Sequence, residues 1–350
     1  MKSNFNIDAL VRENVKSLQP YSSARDEFKA SWSEDLVFLD ANENPFENGV
    51  NRYPDPQQHI LKSKMAEIKN IETAQMLLGN GSDEVLDLLF RAFCEPNEDN
   101  VITMPPTYGM YGVLAGINAV ENRTVFLTDD FEPNTDEILK KVDSNTKIIF
   151  ICSPNNPTAN SFSDEIVAEI IEKFNGLVVI DEAYIDFSEH ESWTRKLSSF
   201  PNLVVTQTLS KAYGMAGIRL GICMASEEII NILNKIKPPY NVNELTQTRA
   251  LEQISNPELI AAEVADILRE RKLLIKALEP IGCIEHIFDT DANFLLVRVD
   301  DAQKRYIQLI EMGIVVRNRS KQPLCNNTLR FTVGTPSENK RLISTLKALD

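Results

Sequence analysis

Between about residue 55 and residue 245 the chain alternates short apolar, β-rich runs with segments of helical period, and this alternation restricts the fold more than any other feature. The runs are Val101-Ile102-Thr103, Val125-Phe126-Leu127, Ile148-Ile149-Phe150-Ile151, Leu177-Val178-Val179-Ile180, Leu203-Val204-Val205-Thr206 and Gly221-Ile222-Cys223-Met224. Runs this continuous suit strands buried on both faces, and such strands need helices on either side. Helix candidates with polar starts lie between several of them, one opening at Ser163 and reaching Lys173, another opening at Ser226 and stopped by Pro238-Pro239. The expected class is α/β, a large domain with a mostly parallel, helix-covered sheet.

A long helical pattern follows, with Asn256 as N-cap and Pro257 as first helical residue, running to about Leu278 before Pro280. The tail reads as a smaller α+β domain. Its strands are Phe294 to Val299, Ile314 to Arg317 and Leu329 to Val333, its helices Ala302 to Met312 and Ser337 to Leu349, and Gly313 suits a helix C-cap. A length of 350 residues exceeds the size at which single cores stop growing. The expected organisation is an N-terminal segment, 1–45, joining the small domain, then the large domain, 46–255, then the linking helix and small C-terminal domain, 256–350.

Basic residues number 36 and acidic residues 51, a net charge of −15, which argues against nucleic acid or an anionic membrane as partner. An anionic ligand must then be held by a local cluster of arginines. Five cysteines, an odd number and widely spaced beside apolar residues, read as reduced packing residues. Three histidines without CxxC, HxxxH or HExxH spacing argue against a metal site. The stretch Met1 to Asn6 lacks an apolar targeting core, so the expected location is the cytoplasm.

The chemistry centres on Lys211, which follows the run Leu203–Thr208 in the Ser- and Gly-rich turn Leu209–Arg219. Open α/β sheets bind ligands at the carboxyl ends of their strands, so Lys211 is a candidate Schiff-base nucleophile there, although a lone Ser-Lys by itself reads more readily as a solvated loop. Ser210 and Arg219 beside it are donors suited to a phosphate monoester. Thirty residues earlier the run Leu177–Ile180 ends in Asp181, and a carboxylate at the end of a buried strand is costly unless it meets a cation. The ring nitrogen of pyridoxal phosphate is such a cation, and a Lys Schiff base with an Asp partner on that nitrogen is how proteins hold this cofactor. Gly79-Asn80-Gly81-Ser82-Asp83-Glu84 lacks the third Gly of a dinucleotide fingerprint. Ser82 and Asp83 can open an anion-binding helix or serve simply as good first-turn residues.

These segments together resemble the fold-type-I pyridoxal-phosphate aminotransferases, and within them the histidinol-phosphate branch. The motifs, in order, are Asp40–Pro45, Arg52-Tyr53-Pro54-Asp55, Gly79–Glu84, Pro105–Tyr111, Asn155-Asn156-Pro157-Thr158, Asp181–Tyr184, Ser210-Lys211 and Leu329–Thr335, and the likeness runs nearly end to end. The resemblance implies pyridoxal 5'-phosphate as cofactor and a ping-pong transamination of L-histidinol phosphate with 2-oxoglutarate in histidine biosynthesis, Lys211 holding the cofactor as an aldimine. It gives catalytic roles to Lys211, Asp181 and Tyr184. Cofactor contacts fall on Ser82, Asp83, Tyr108, Asn156, Ser210 and Arg219, and on Tyr53 reaching across a homodimer interface to the partner's cofactor. Substrate contacts fall on Tyr21, Asn42, Arg317 and Arg330, while Arg319 reads as surface charge. By composition alone Tyr108 is a core or turn aromatic, Asn155–Thr158 a plain turn, Arg52–Asp55 a surface turn and Arg330 a solvated strand residue. The usual Gly after Asn-Pro-Thr is Ala159 here, at a position expected to need positive φ. An aromatic amino acid aminotransferase and a decarboxylase of the threonine-phosphate type share the cofactor motifs and stand as alternatives. An aminotransferase-like regulator would need a basic DNA-binding module that this chain has no residues left to form.

Overall fold

The structure, a computed structural model, describes residues 5–21 and 37–350. Seven strands form the larger sheet: β1 Met76–Asn80, β2 Asn100–Thr103, β3 Glu121–Thr124, β4 Thr146–Cys152, β5 Leu177–Asp181, β6 Leu203–Thr208 and β7 Leu220–Ala225. Their order is β1-β7-β6-β5-β4-β2-β3, and β7 alone runs against its neighbours. Residues of β5, β6 and β7 are buried on both faces, as the unbroken apolar runs require. Alternation along the strands divides them between two cores: Val178, Ile180 and Val205 point to one, Leu177, Val179 and Val204 to the other. Each such side chain contributes about 1.5–3 kcal/mol by leaving water.

The smaller sheet holds β8 Ile284–Ile287, β9 Phe294–Val299, β10 Arg317–Asn318 and β11 Thr328–Thr332 in the antiparallel order β10-β11-β9-β8. The 22-residue helix Pro257–Leu278 opens with Pro at its first turn and bridges the two sheets. Its Val264 and Leu268 pack on the large-sheet core, its Leu274 and Leu278 on the core beneath Leu295, Val297 and Phe331.

Several expectations are corrected. The run Val125–Leu127 is not a strand, because β3 ends at Thr124 where its neighbour reaches Pro105-Pro106. Prolines have no N–H to continue a ladder, yet Val125 and Leu127 stay buried and their amides still donate to Thr103 and Pro105 carbonyls at 3.0 Å. Of the run Ile314–Arg317 only Arg317 pairs, in β10. β1 and β8 are not foreseen, β1 because three apolar residues are too short a signal and β8 because it is a half-exposed edge with Glu285 and His286 outward. The N-terminal segment does not join the small sheet where it is described. Short helices at Ile7–Leu10 and Glu13–Lys16 put Val11 and Val15 against the large-sheet helices, and Arg12 pairs with Glu95 at 3.1 Å.

One close approach positions the site. The helix Gly81–Phe93 begins directly after β1, and its first residue bridges Leu220 at the start of β7, the Gly81 amide donating to the carbonyl of the preceding Arg219 at 2.8 Å. A Cβ on Gly221 would stand 2.3 Å from Gly81 C and Ser82 N, both backbone atoms that cannot swing aside. Gly221→Ala should therefore lower stability by about 1–3 kcal/mol, as overpacking does. Urea unfolding followed by circular dichroism checks this, and an unchanged midpoint would show that the contact can relax.

Candidate active site

The carboxyl ends of β4, β5 and β6, the start of the helix Gly81–Phe93 and strands β10 and β11 enclose a cavity of about 500 Å³. Ser82, Asp83, Tyr108, Asn156, Asp181, Tyr184, Ser210, Lys211, Arg219, Arg317 and Arg330 all line it. Tyr21, Asn42 and Tyr53 do not. Tyr21 is 72% exposed. Asn42 and Tyr53 line a separate hollow with Glu43, Arg52 and Asn243, and Tyr53 stacks on Tyr240 with centroids 4.6 Å apart.

Asp181 ends β5 at the cavity floor, 3% exposed. It accepts hydrogen bonds from the Tyr111 hydroxyl at 2.9 Å and from the Ala183 amide at 3.2 Å. Burial nevertheless pushes its pKa up to about 6, and the two donors only partly oppose this. Tyr111 is fully buried and stacked on Phe150, and its ring meets that of Tyr108 edge-on at 5.6 Å. The role of Tyr111 is missed by motif reading, although the three-residue spacing from Tyr108 at a helix start is a usable signal.

Lys211 follows β6 in the turn and points at the same space, its Nζ 5.6 Å from the centre of the Tyr184 ring. Burial and the Arg330 charge hold its amine below the usual lysine range, against the opposite pull of Asp181. Burial pushes the Tyr184 hydroxyl up, so it remains a donor at neutral pH. Arg330 donates to Asn156 Oδ1 at 2.5 Å, which turns the Asn156 amide nitrogen away to serve as a donor elsewhere.

At the other end, Tyr108 donates to Asp83 Oδ1 at 3.0 Å and Arg219 reaches Asp83 Oδ2 at 3.4 Å. The first amides of the helix Gly81–Phe93 have no intrahelical partner, and Ser82, Asp83, Ser210 and Arg219 line the cavity there, a setting suited to an anion. Gly81 takes φ +75°, a conformation that favours glycine, and a Cβ there would press only on the flexible Arg219 guanidinium at 2.7 Å.

Arg317 and Arg330 are register partners on β10 and β11, so two like charges face one another directly. Arg319, read from the sequence as surface charge, is instead half-buried and lines the cavity. Its two-residue spacing from Arg317 carried that information, since alternate strand residues share a face. Ala159 takes φ +75° and is fully buried. The strain of about 1–2 kcal/mol is offset by a buried methyl worth about 0.8 kcal/mol and by the greater freedom a Gly would lose, about 0.4–1 kcal/mol, so Ala suffices. Its turn is closed by Ala159 N–H to Asn155 O at 2.8 Å, and this holds Asn156 in place.

A lysine amine facing a buried carboxylate, beside a helix-start anion recess and an arginine pair, is the equipment of an enzyme that works on amines through a phosphorylated cofactor. The chain belongs to the aminotransferase class I and II family, whose model matches residues 38–346, and it is a transaminase. Among its relatives, the histidinol-phosphate aminotransferase of Flavobacterium johnsoniae is 64% identical over 99% of this chain and all of its own. That of Christiangramia forsetii is 61% identical over 99% of both. Among solved structures, the histidinol-phosphate aminotransferase of Clostridium acetobutylicum has a TM-score of 0.79 at 24% identity, covering 86% of this chain and 91% of its own. That of Sinorhizobium meliloti, solved in complex with pyridoxal-5'-phosphate, has a TM-score of 0.78 at 23% identity, covering 85% and 84%. The two structures speak for the fold.

The residues present fit pyridoxal phosphate. Asp181 is a buried carboxylate aimed into the cavity near Lys211, the first-turn amides of the helix Gly81–Phe93 and Arg219 lie at the other end, and Tyr108 and Ala183 wall the space they share. In the cofactor-free protein Asp181 should then cost stability. A carboxyl whose pKa is raised on folding favours its neutral form, so stability falls as pH rises from about 4 through about 6. Asp181→Asn should stabilise the cofactor-free protein by about 1–3 kcal/mol at pH 8, with the gap closing below pH 4. Urea unfolding across that range measures it, and a pH-independent gap would contradict the assigned cost.

Proposed function

We propose that the chain transfers the amino group of L-histidinol phosphate to 2-oxoglutarate through pyridoxal 5'-phosphate held in this cavity, in the cytoplasm, as a step of histidine biosynthesis. The observation that carries this reading is one cavity with an amine and a buried carboxylate at its floor and a facing arginine pair at its mouth. The names and 61–64% identities of full-length relatives support the substrate, and the five buried free cysteines suit a reducing compartment. No helix among the described residues is long and apolar enough to cross a membrane.

When bound, pyridoxal phosphate supplies an aldehyde that carries the amino group and a ring that takes up the electrons of a broken Cα–H bond. Lys211 Nζ would hold it and, once free, would carry the proton from the substrate Cα to the carbon that bore the aldehyde. An amine held below the usual lysine range is suited to accept that proton. Asp181 pairs with the protonated ring nitrogen. Tyr184 and the Asn156 amide donate to the ring oxygen, and Tyr108 offers its face to the ring. The Ser82 and Asp83 amides at the helix start, the Ser82 and Ser210 hydroxyls and the Arg219 guanidinium would hold the cofactor phosphate. Arg317 and Arg330 hold the anionic groups of the two substrates in turn, glutamate's carboxylate falling to Arg330.

The site is completed by a second copy of the chain. Tyr53, 49% exposed, lines a hollow with the outward apolar residues Val50 and Leu245, a patch suited to burial against a partner. We place Tyr21, Asn42 and Tyr53 toward the site of that partner or at its edge.

Borohydride reduction of the holoenzyme should fix pyridoxyl on Lys211, and Lys211→Ala should lower turnover by roughly a hundred- to ten-thousandfold. Amino transfer from histidinol phosphate should exceed that from phenylalanine or tyrosine, and phosphothreonine should release no carbon dioxide. Preference for an aromatic amino acid, or decarboxylation, would replace the proposed reaction with one of its rivals. Sedimentation should give a dimer, and mixing Lys211→Ala with Tyr53→Ala chains should restore activity above the sum of the two. Activity that merely adds would argue that each chain builds its site alone.

A further inference from the structure

Four arginines line the cavity in a chain with 51 acidic residues against 36 basic ones; Arg219 pairs with Asp83 at 3.4 Å, yet Arg317, Arg319 and Arg330 have no acid beside them among the described residues. Other arginines of the chain find acids readily. Arg12 pairs with Glu95 at 3.1 Å, Arg123 with Asp143 at 2.6 Å and Arg305 with Asp300 at 2.7 Å. Of those three without an acid, Arg330 has a neutral partner in Asn156, and Arg317 is exposed, where water solvates its charge.

Arg319 has neither compensation. It is half-buried, and its Nε is shut off from solvent without a hydrogen-bond partner. Burial and then the Arg317 charge pull its pKa down. Its main chain is clamped: the Arg319 amide donates to the Thr328 carbonyl at 2.9 Å, its carbonyl accepts from the Gln322 amide at 2.8 Å, and the Ser320 amide donates to Asn318 Oδ1 at 3.0 Å. A guanidinium that is partly dehydrated, tethered and set among like charges costs free energy until an anion arrives. Arg330 already meets the single charge of a carboxylate. A phosphate monoester brings more than one negative charge and three acceptor oxygens, which can use a second and third guanidinium.

We infer that Arg319 is a specificity residue, gripping the phosphate of the amino donor together with Arg317 and giving the site its preference for a dianionic substrate over the same molecule ending in a hydroxyl. The inference rests on the proposed transamination of a phosphorylated amine, and it assigns the discrimination to the inner arginine rather than to the exposed Arg317 alone.

The test is the ratio of kcat/KM for histidinol phosphate to that for histidinol, measured on the holoenzyme, on Arg319→Gln and on Arg319→Lys. The unmutated ratio should be large, Arg319→Gln should lower it ten- to a hundredfold, and Arg319→Lys should restore it only in part because an ammonium lacks the fork. Inorganic phosphate should raise the thermal midpoint of the unmutated holoenzyme and not that of Arg319→Gln. An unmutated ratio near one would remove the phosphorylated substrate itself. A large unmutated ratio that Arg319→Gln keeps within threefold would leave the proposed reaction standing and overturn the role of Arg319. Should Arg319→Gln fail to fold, Arg319→Lys decides alone, since it keeps the charge and changes the geometry: a ratio reduced more than threefold supports the role, an unchanged one overturns it.

Discussion

Asp181 is a carboxylate at the end of a central strand, and its burial shapes the rest of the site. The neighbouring acid makes the point by contrast. Glu182, 1% exposed and likewise pushed up by burial, to about 7, is supplied with donors by the Ser192 hydroxyl, the Trp193 amide and the Gln207 amide group. It is satisfied within the protein. Asp181 receives two donors and turns toward open space. Consecutive residues leaving a strand point to opposite sides, so one acid becomes structural and the other is left to a ligand.

The same logic, with the sign reversed, governs the small sheet. Antiparallel pairing sets Arg317 opposite Arg330, and alternation brings Arg319 to the same side. Like charges so placed repel, and the strongly acidic surface elsewhere does not neutralise them. The protein therefore holds a buried carboxylate at one point of the cavity and arginines without acidic partners at another. A ligand with a basic ring nitrogen and anionic groups resolves both. Stability given up in the empty cavity is the source of binding energy when it fills.

Much of this was legible in the chain. The buried strands β4 to β7 were readable because unbroken runs such as Leu177–Ile180 have few other uses, and the Pro257 helix because a Pro start and a stop before Pro280 bound it. The lining of the cavity by Lys211, Asp181, Asn156, Tyr184 and Arg330 agrees with the motifs that suggested them. Failures occurred where local pattern was silent or ambiguous. β1 and β8 are short or half-exposed, Val125–Leu127 is apolar and hydrogen-bonded to its neighbour without continuing as a strand, and the segment around Val11 and Val15 chose its neighbours by fit against distant helices. Arg319 was misjudged because an arginine two residues from another is as often solvated as aimed at a ligand.

What the sequence determined by itself is periodicity and chemistry: which stretches are buried strands, where a lysine and an aspartate stand at strand ends, and that a positive-φ turn beside Asn156 is occupied by Ala159. Only the tertiary structure decided which of those groups meet. Residues 83, 108 and 219 converge on one recess because β7 crosses between β1 and β6, and Gly221 lets the helix start at Gly81 approach it. Tyr111 reaches Asp181 across 70 residues of chain, and Arg330 reaches Asn156 across 174. Such pairings depend on strand order and sheet packing, which are summed over the whole molecule, and no local window of residues contains them.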